Sequence, residues 1–208
     1  QAFNINDVGQ VVGQINSPSG ALHAFRTVPG SPIAPATDDL NVFWSGSSLA
    51  WGINSVGQVV GRAYSNPTDS GSSPGQAFRT AANSPILFPN DLLGTLGGVS
   101  STALSINKAG HIVGFADTAA AGVHAFVWED AQGMTDLNNL IPSCSGWTLV
   151  WATAINEAGQ IVGRGYHNGN ERAFLLSLAP VKLSGLEVTQ VVQDWNNSVP
   201  LAEGKKTW

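Results

Sequence analysis

Charge is scarce in this chain. Only 11% of its 208 residues are Asp, Glu, Lys or Arg, and nine Lys and Arg face fourteen Asp and Glu. A net charge of −5 with no basic stripe excludes a surface built to neutralise nucleic-acid phosphates. The single cysteine, Cys144, excludes a disulfide framework within the chain. In the loop Pro142-Ser143-Cys144-Ser145-Gly146 it reads as a small residue rather than a reactive one. No apolar run reaches the roughly 18–20 residues that a membrane-spanning helix needs, so no membrane span is expected. His23, His111, His124 and His167 share no i, i+2 or i, i+4 spacing. No metal site and no cofactor is therefore expected. The Gly-x-Ser-x-Gly elbow of many hydrolases is missing, and Ser45-Gly46-Ser47 and Ser70-Gly71-Ser72 read as loop.

Glycine, by contrast, is plentiful, with 24 residues, and much of it recurs in register. A pattern Ile-Asn-x-x-Gly-x-(Ile/Val)-Val-Gly begins at Ile5, Ile53, Ile106 and Ile155, and an Ala-Phe pair follows each copy at Phe25, Phe78, Phe126 and Phe174. A period near fifty residues with internal strand signals denotes an array of similar β units. The third unit is the clearest. Ala103–Asn107 alternates apolar and polar residues, Asn107-Lys108-Ala109-Gly110 has turn chemistry, and His111–Ala116 resumes as a second strand. A loop over 118–122 leads to a third strand at His124–Trp128, and a turn at Gly133 to a fourth at Met134–Leu137.

Four antiparallel strands in about fifty residues is the unit of a propeller blade. The expected fold is all-β: a β-propeller of four-stranded antiparallel blades, with four repeat units visible over residues 1–178. Residues 179–208 read as a closing strand, centred on 183–192, or as the truncated start of a further β domain. The second unit carries a longer Ser/Pro/Gly loop at 65–76. Both ends of the sequence look cut from a longer polypeptide.

A residue present in every unit reads as scaffold, and a departure from the repeat is a candidate for function. Asn6, Asn54, Asn107 and Asn156 are expected to cap turns rather than bind calcium, because Ser55 and Lys108 stand where Asp7 and Glu157 stand in the other units. Gly13, Gly61, Gly114 and Gly163 lie inside a strand, where glycine marks a bulge or a close backbone approach. Asp39, Asp91 and Asp136, each before Leu, are expected to bond backbone at the edge of a unit.

The triplets His23-Ala24-Phe25 and His124-Ala125-Phe126, the altered Gln76-Ala77-Phe78 and Arg172-Ala173-Phe174, and the stretch Leu93–Gly98 carry a resemblance. Over residues 2–178 the chain resembles the HAF-type extracellular repeat family, named after its His-Ala-Phe triplet. That resemblance implies a bacterial secreted or surface protein, with an extracellular or cell-surface location and no catalytic residues to transfer.

The departures sort into two sets. Asp117 and Glu171 are acids without counterparts in the other units. A glycosidase needs two such carboxylates some 5–10 Å apart. On this reading the chain is a glycoside hydrolase-like or esterase-like hydrolase with its site in a propeller cleft. The second set is aromatic and cationic: Arg62 with Tyr64, Arg164 with Tyr166, and the flanking Trp44, Trp51, Trp147 and Trp151. Residues i and i+2 of a strand share a face, so each Arg/Tyr pair presents a ring and a guanidinium together. Because that pair occurs twice, a non-enzymatic binding module is preferred, with Arg62, Tyr64, Arg164, Tyr166, Trp44 and Trp147 as candidate ligand contacts. Its expected partners are a glycan or a surface protein, together with self-association if the propeller is an incomplete arc.

Overall fold

The computed structural model describes residues 1–17, 20–41, 46–64 and 74–177, with the backbone of 192–194. Trp44, Asp69, most of the 65–76 loop and nearly all of 179–208 lie outside the described residues.

Each repeat forms one antiparallel sheet. Strands β1 (Ala2–Ile5), β2 (Val11–Asn16) and β3 (Leu22–Arg26) make the first, and β4 (Ser48–Ile53), β5 (Val59–Ala63) and β6 (Gln76–Arg79) the second. The third holds β7 (Gly97–Ile106), β8 (Ile112–Thr118), β9 (Val123–Glu129) and β10 (Gly133–Asp136). The fourth holds β11 (Trp147–Ile155), β12 (Gln160–His167), β13 (Asn170–Ser177) and β14 (Val192–Asp194). Among the described residues, helical structure is limited to single turns at Pro35–Asp38 and Leu137–Leu140.

The expectation of four-stranded units needs one correction. In the first two sheets the fourth strand shrinks to a single bridge, Phe25 to Asp39 and Phe78 to Leu92. Prolines at 29, 32 and 35, and at 85 and 89, lie just before those bridges, and proline cannot donate to a ladder. Successive sheets pack on one another in chain order, but among the described residues the first and fourth share no interface of that kind, so no closed ring is shown.

The sequence repeat maps onto three devices. First, each hairpin turn is closed by its asparagine. Asn6 Oδ1 accepts the Gln10 amide at 2.9 Å and Asn107 Oδ1 that of His111 at 3.0 Å, while the turn glycines Gly9, Gly57, Gly110 and Gly159 hold φ between 77° and 87°. Second, the same side chains reach across units. Nδ2 of Asn6 donates to the Asn54 carbonyl (3.0 Å), that of Asn54 to the Asn107 carbonyl (3.1 Å), and that of Asn107 to the Asn156 carbonyl (3.3 Å). Asn156 Nδ2 donates within its own turn, to Gln160 Oε1. Asn54→Ala should therefore cost about 1–3 kcal/mol in urea unfolding, because buried groups lose partners. Asn156→Ala, at an exposed turn, should cost clearly less.

Third, the first strand of every unit carries a bulge opposite the strand glycine. The extra residues are Phe3, Trp51, Leu104 and Thr153. The bulge brings a carbonyl against the glycine: Gln1 O at Gly13, Leu49 O at Gly61, Thr102 O at Gly114 and Trp151 O at Gly163. A Cβ there would sit far inside the 3.0 Å that real Cβ atoms keep. The glycine pairs across strands with the triplet phenylalanine in all four units: Gly13 with Phe25, Gly61 with Phe78, Gly114 with Phe126, and Gly163 with Phe174. Each of those rings is fully buried.

The core lies between units. Val12, Ala24 and Leu40 of the first pack with Ile53, Val59 and Phe78 of the second. Val60 and Ala77 pack with Ile106, Ile112 and Phe126 of the third. Val113, Ala125 and Leu137 pack with Ile155, Ile161 and Phe174 of the fourth.

The repeated acids are structural, as expected. Asp39, Asp91 and Asp136 accept the amides of Asn41, Leu87 and Asn138, each at 2.8 Å. Burial pushes the Asp91 carboxyl above its ordinary range, against the opposing pull of the Leu87 amide and Arg79. Asp39 and Asp136 also bind the triplet histidines, His23 Nδ1 at 2.7 Å and His124 Nδ1 at 2.6 Å, which ties the third strand to the fourth-strand position.

Candidate functional site

The first strands of the second, third and fourth sheets, with β5 and β8, surround a pocket of about 470 Å³. Most of its wall comes from three positions of the repeat. The bulge residues supply Trp51 and Leu104, the residue two before the bulge supplies Leu49, Thr102 and Trp151, and the residue after the strand glycine supplies Arg62 and Phe115. The scaffold repeats while these side chains differ from unit to unit. Equivalent strands thus converge to form a site of unequal chemistry.

Aromatic rings dominate the wall. The Phe115 and Trp151 rings stack at 4.5 Å and 8°, joining the third unit to the fourth. The Arg164 guanidinium lies 4.1 Å from the Trp151 centroid. Arg62 lies 4.9 Å from the Tyr64 centroid, and its Nη2 donates to Ser100 Oγ at 2.6 Å. Its Nε, like Thr102 Oγ1, is buried without a hydrogen-bond partner. Among the described residues no carboxylate lines this pocket, and the ionic group among them is the Arg62 cation. Ring faces beside a guanidinium can hold an uncharged or anionic ligand that offers C–H surface and hydroxyl or carboxyl oxygens.

The other candidates are placed as follows. Arg62 and Tyr64 both line the pocket, and Tyr64 is only 5% exposed. The equivalent Tyr166 is 48% exposed, and Arg164 is paired with Glu171 at 2.7 Å. The two Arg/Tyr pairs are alike in sequence and unlike in setting. Trp147 belongs to the core, stacked on His167 at 4.9 Å and edge-on to Phe174 at 6.4 Å. Trp44 lies outside the described residues. Asp117 sits at the end of β8, paired across from Val123, in a different sheet from Glu171. Phe115, Thr102 and Leu104 escaped the sequence reading. Their signal was available: they occupy the same repeat positions as Arg62, Trp151 and Trp51.

A second, more open depression of about 660 Å³ is lined by His124 and Asp136. The same His–Asp contact recurs as His23–Asp39, which marks it as scaffold. The nearby Thr118 hydroxyl accepts the Gly122 amide at 3.2 Å. Among the described residues no three His, Cys, Asp or Glu side chains gather where a metal ion could sit.

A family model described as "Protein of unknown function (DUF3466)" matches residues 36–198, most of the chain. The chain belongs to that family. This corrects the resemblance to the HAF-type repeat family: the triplets at 76–78, 124–126 and 172–174 fall inside the DUF3466 match and the one at 23–25 just before it, and in each the phenylalanine lies across from a strand glycine. The extracellular location rested on that resemblance and is not carried further. No curated protein and no solved structure matches the chain. No helix among the described residues is long and apolar enough to cross a membrane.

Proposed function

We propose that this DUF3466 chain is a binding module, an arc of β-propeller blades that holds a saccharide against the rings of Trp51, Phe115 and Trp151, with Arg62 bonding its oxygens. The observation that carries this reading is the convergence of those four side chains on one pocket, at repeat positions where the scaffold does not dictate the residue. Sugar rings offer C–H faces to aromatic surfaces, and a guanidinium serves hydroxyl or carboxyl oxygens. The hydrolase reading gains nothing from the geometry. Asp117 and Glu171 line neither pocket, and Glu171 is held by Arg164.

Calorimetric titration of a saccharide panel, neutral and uronic-acid oligomers included, tests the proposal. At least one member should bind. Trp51→Ala and Arg62→Ala should each weaken it by about tenfold or more, equivalent to roughly 1.4 kcal/mol, while Tyr166→Ala leaves affinity unchanged. A panel without a binder, or a binder indifferent to Trp51 and Arg62, would overturn it.

A further inference from the structure

Two arginines at equivalent places in the repeat differ in what neutralises them. Arg164 Nη1 donates to Glu171 Oε1 at 2.7 Å, within its own sheet. Glu171 stands directly before the triplet Arg172-Ala173-Phe174. In the second unit the residue directly before the triplet Gln76-Ala77-Phe78 is Gly75, so the acid that serves Arg164 has no counterpart beside Arg62. Gly75 lies where that acid would act: a Cβ on it would sit 2.6 Å from Arg62 Nε and 2.9 Å from the Tyr64 ring. Among the described residues no carboxylate pairs with Arg62. The one hydrogen bond of its guanidinium goes to the neutral Ser100 hydroxyl, whose own hydrogen goes to the Gly75 carbonyl at 3.1 Å. Ser100 therefore positions the cation and leaves its charge unmatched. A half-buried charge in that state is costly. Thr102, also on the pocket wall, is only 4% exposed, and its hydroxyl has no partner.

We propose that the saccharide of this pocket is acidic, a uronic-acid oligomer whose carboxylate takes beside Arg62 the place that Glu171 takes beside Arg164, with the Thr102 hydroxyl as a second donor to it. This inference rests on the saccharide reading and narrows it. A carboxylate matches a guanidinium both in charge and in its planar pair of oxygens. It also supplies the acceptor that the Thr102 hydroxyl lacks. A neutral sugar offers hydroxyl oxygens and leaves the charge unmatched. The aromatic wall takes the C–H face of an acidic sugar as readily as that of a neutral one, so the rings set the class of ligand and Arg62 selects within it.

Calorimetric titration with matched ligands tests it. Oligogalacturonate, oligoglucuronate and oligomannuronate are each set beside their methyl esters, which keep the sugar rings and remove the charge. A sulfated neutral oligosaccharide completes the set. At least one acid should bind about tenfold or more tightly than its ester. Raising NaCl from about 0.05 to 0.5 M should weaken the acid and leave the ester unchanged. Arg62→Gln should abolish the preference for the acid, and Arg62→Lys should retain part of it. Thr102→Val should weaken the acid by about threefold or more. The comparison of acid with ester uses the wild type, so it holds even where a variant fails to fold. Esters that bind as tightly as the acids, with binding still lost in Trp51→Ala, would overturn this inference and leave the saccharide reading standing. So would a preference for the sulfated oligosaccharide, or an acid preference that survives Arg62→Gln. A set without any binder would overturn both.

Discussion

Gly61→Ala should lower the unfolding free energy by about 3 kcal/mol or more, at the upper end of overpacking costs and within reach of preventing folding. The reason is local and specific. A Cβ on Gly61 would meet the Leu49 carbonyl oxygen, which the bulge at Trp51 brings close, and would also meet the Phe78 ring at 2.9 Å. The oxygen belongs to backbone and cannot rotate away, so either the bulge must straighten or the strands must part. A control is at hand in Gly122→Ala. A Cβ there finds nothing closer than 3.5 Å and the backbone is not left-handed, so its cost should stay within about 0.5 kcal/mol. Urea unfolding of both variants gives the comparison.

Phe126→Ala is the second large effect, expected at about 3–5 kcal/mol. The ring is fully buried and lies in the cluster that joins Val60 and Ala77 of the second unit to the third. It also stands directly across from Gly114, whose missing side chain leaves the space the ring fills. An aromatic laid over a cross-strand glycine compensates for the packing that glycine lacks. Removing the ring therefore opens a cavity that Gly114, having no side chain, cannot fill. Because Phe126 sits between units, the loss should separate the second and third sheets as well as weaken the third.

The hairpins were legible because their chemistry is short-range. An asparagine, a left-handed glycine and two alternating runs place the turn between β7 and β8 nearly to the residue, while β7 starts at Gly97, six residues before the run read at Ala103, and β8 continues to Thr118. The strand glycines were legible as a class, and the bulge that requires them is what the structure adds. The fourth strands of the first two units were not legible. Whether a proline-rich return makes four residues of ladder or one bridge depends on how it packs, which local pattern does not encode. The Arg/Tyr pairs show the same limit at the site. Arg62-Ala63-Tyr64 and Arg164-Gly165-Tyr166 are near-identical text, yet one pair lies in a pocket and the other on an open face. That difference is one of packing, which local text does not encode. Phe115 stands at the position of Arg62 in the third unit, and only the packing of the two units makes them walls of one pocket.

The central claim is that repeated positions hold the fold while the departures beside them are free for a ligand. Gly61 and Arg62 are neighbours on one strand, the first repeated in every unit and the second not. Urea unfolding of Gly61→Ala and Arg62→Ala is the most direct test. The account predicts a loss of about 3 kcal/mol or more for the glycine. For the arginine it predicts about 1 kcal/mol, the value of its one bond to Ser100. Equal losses at the two positions, or a larger one at Arg62, would contradict it.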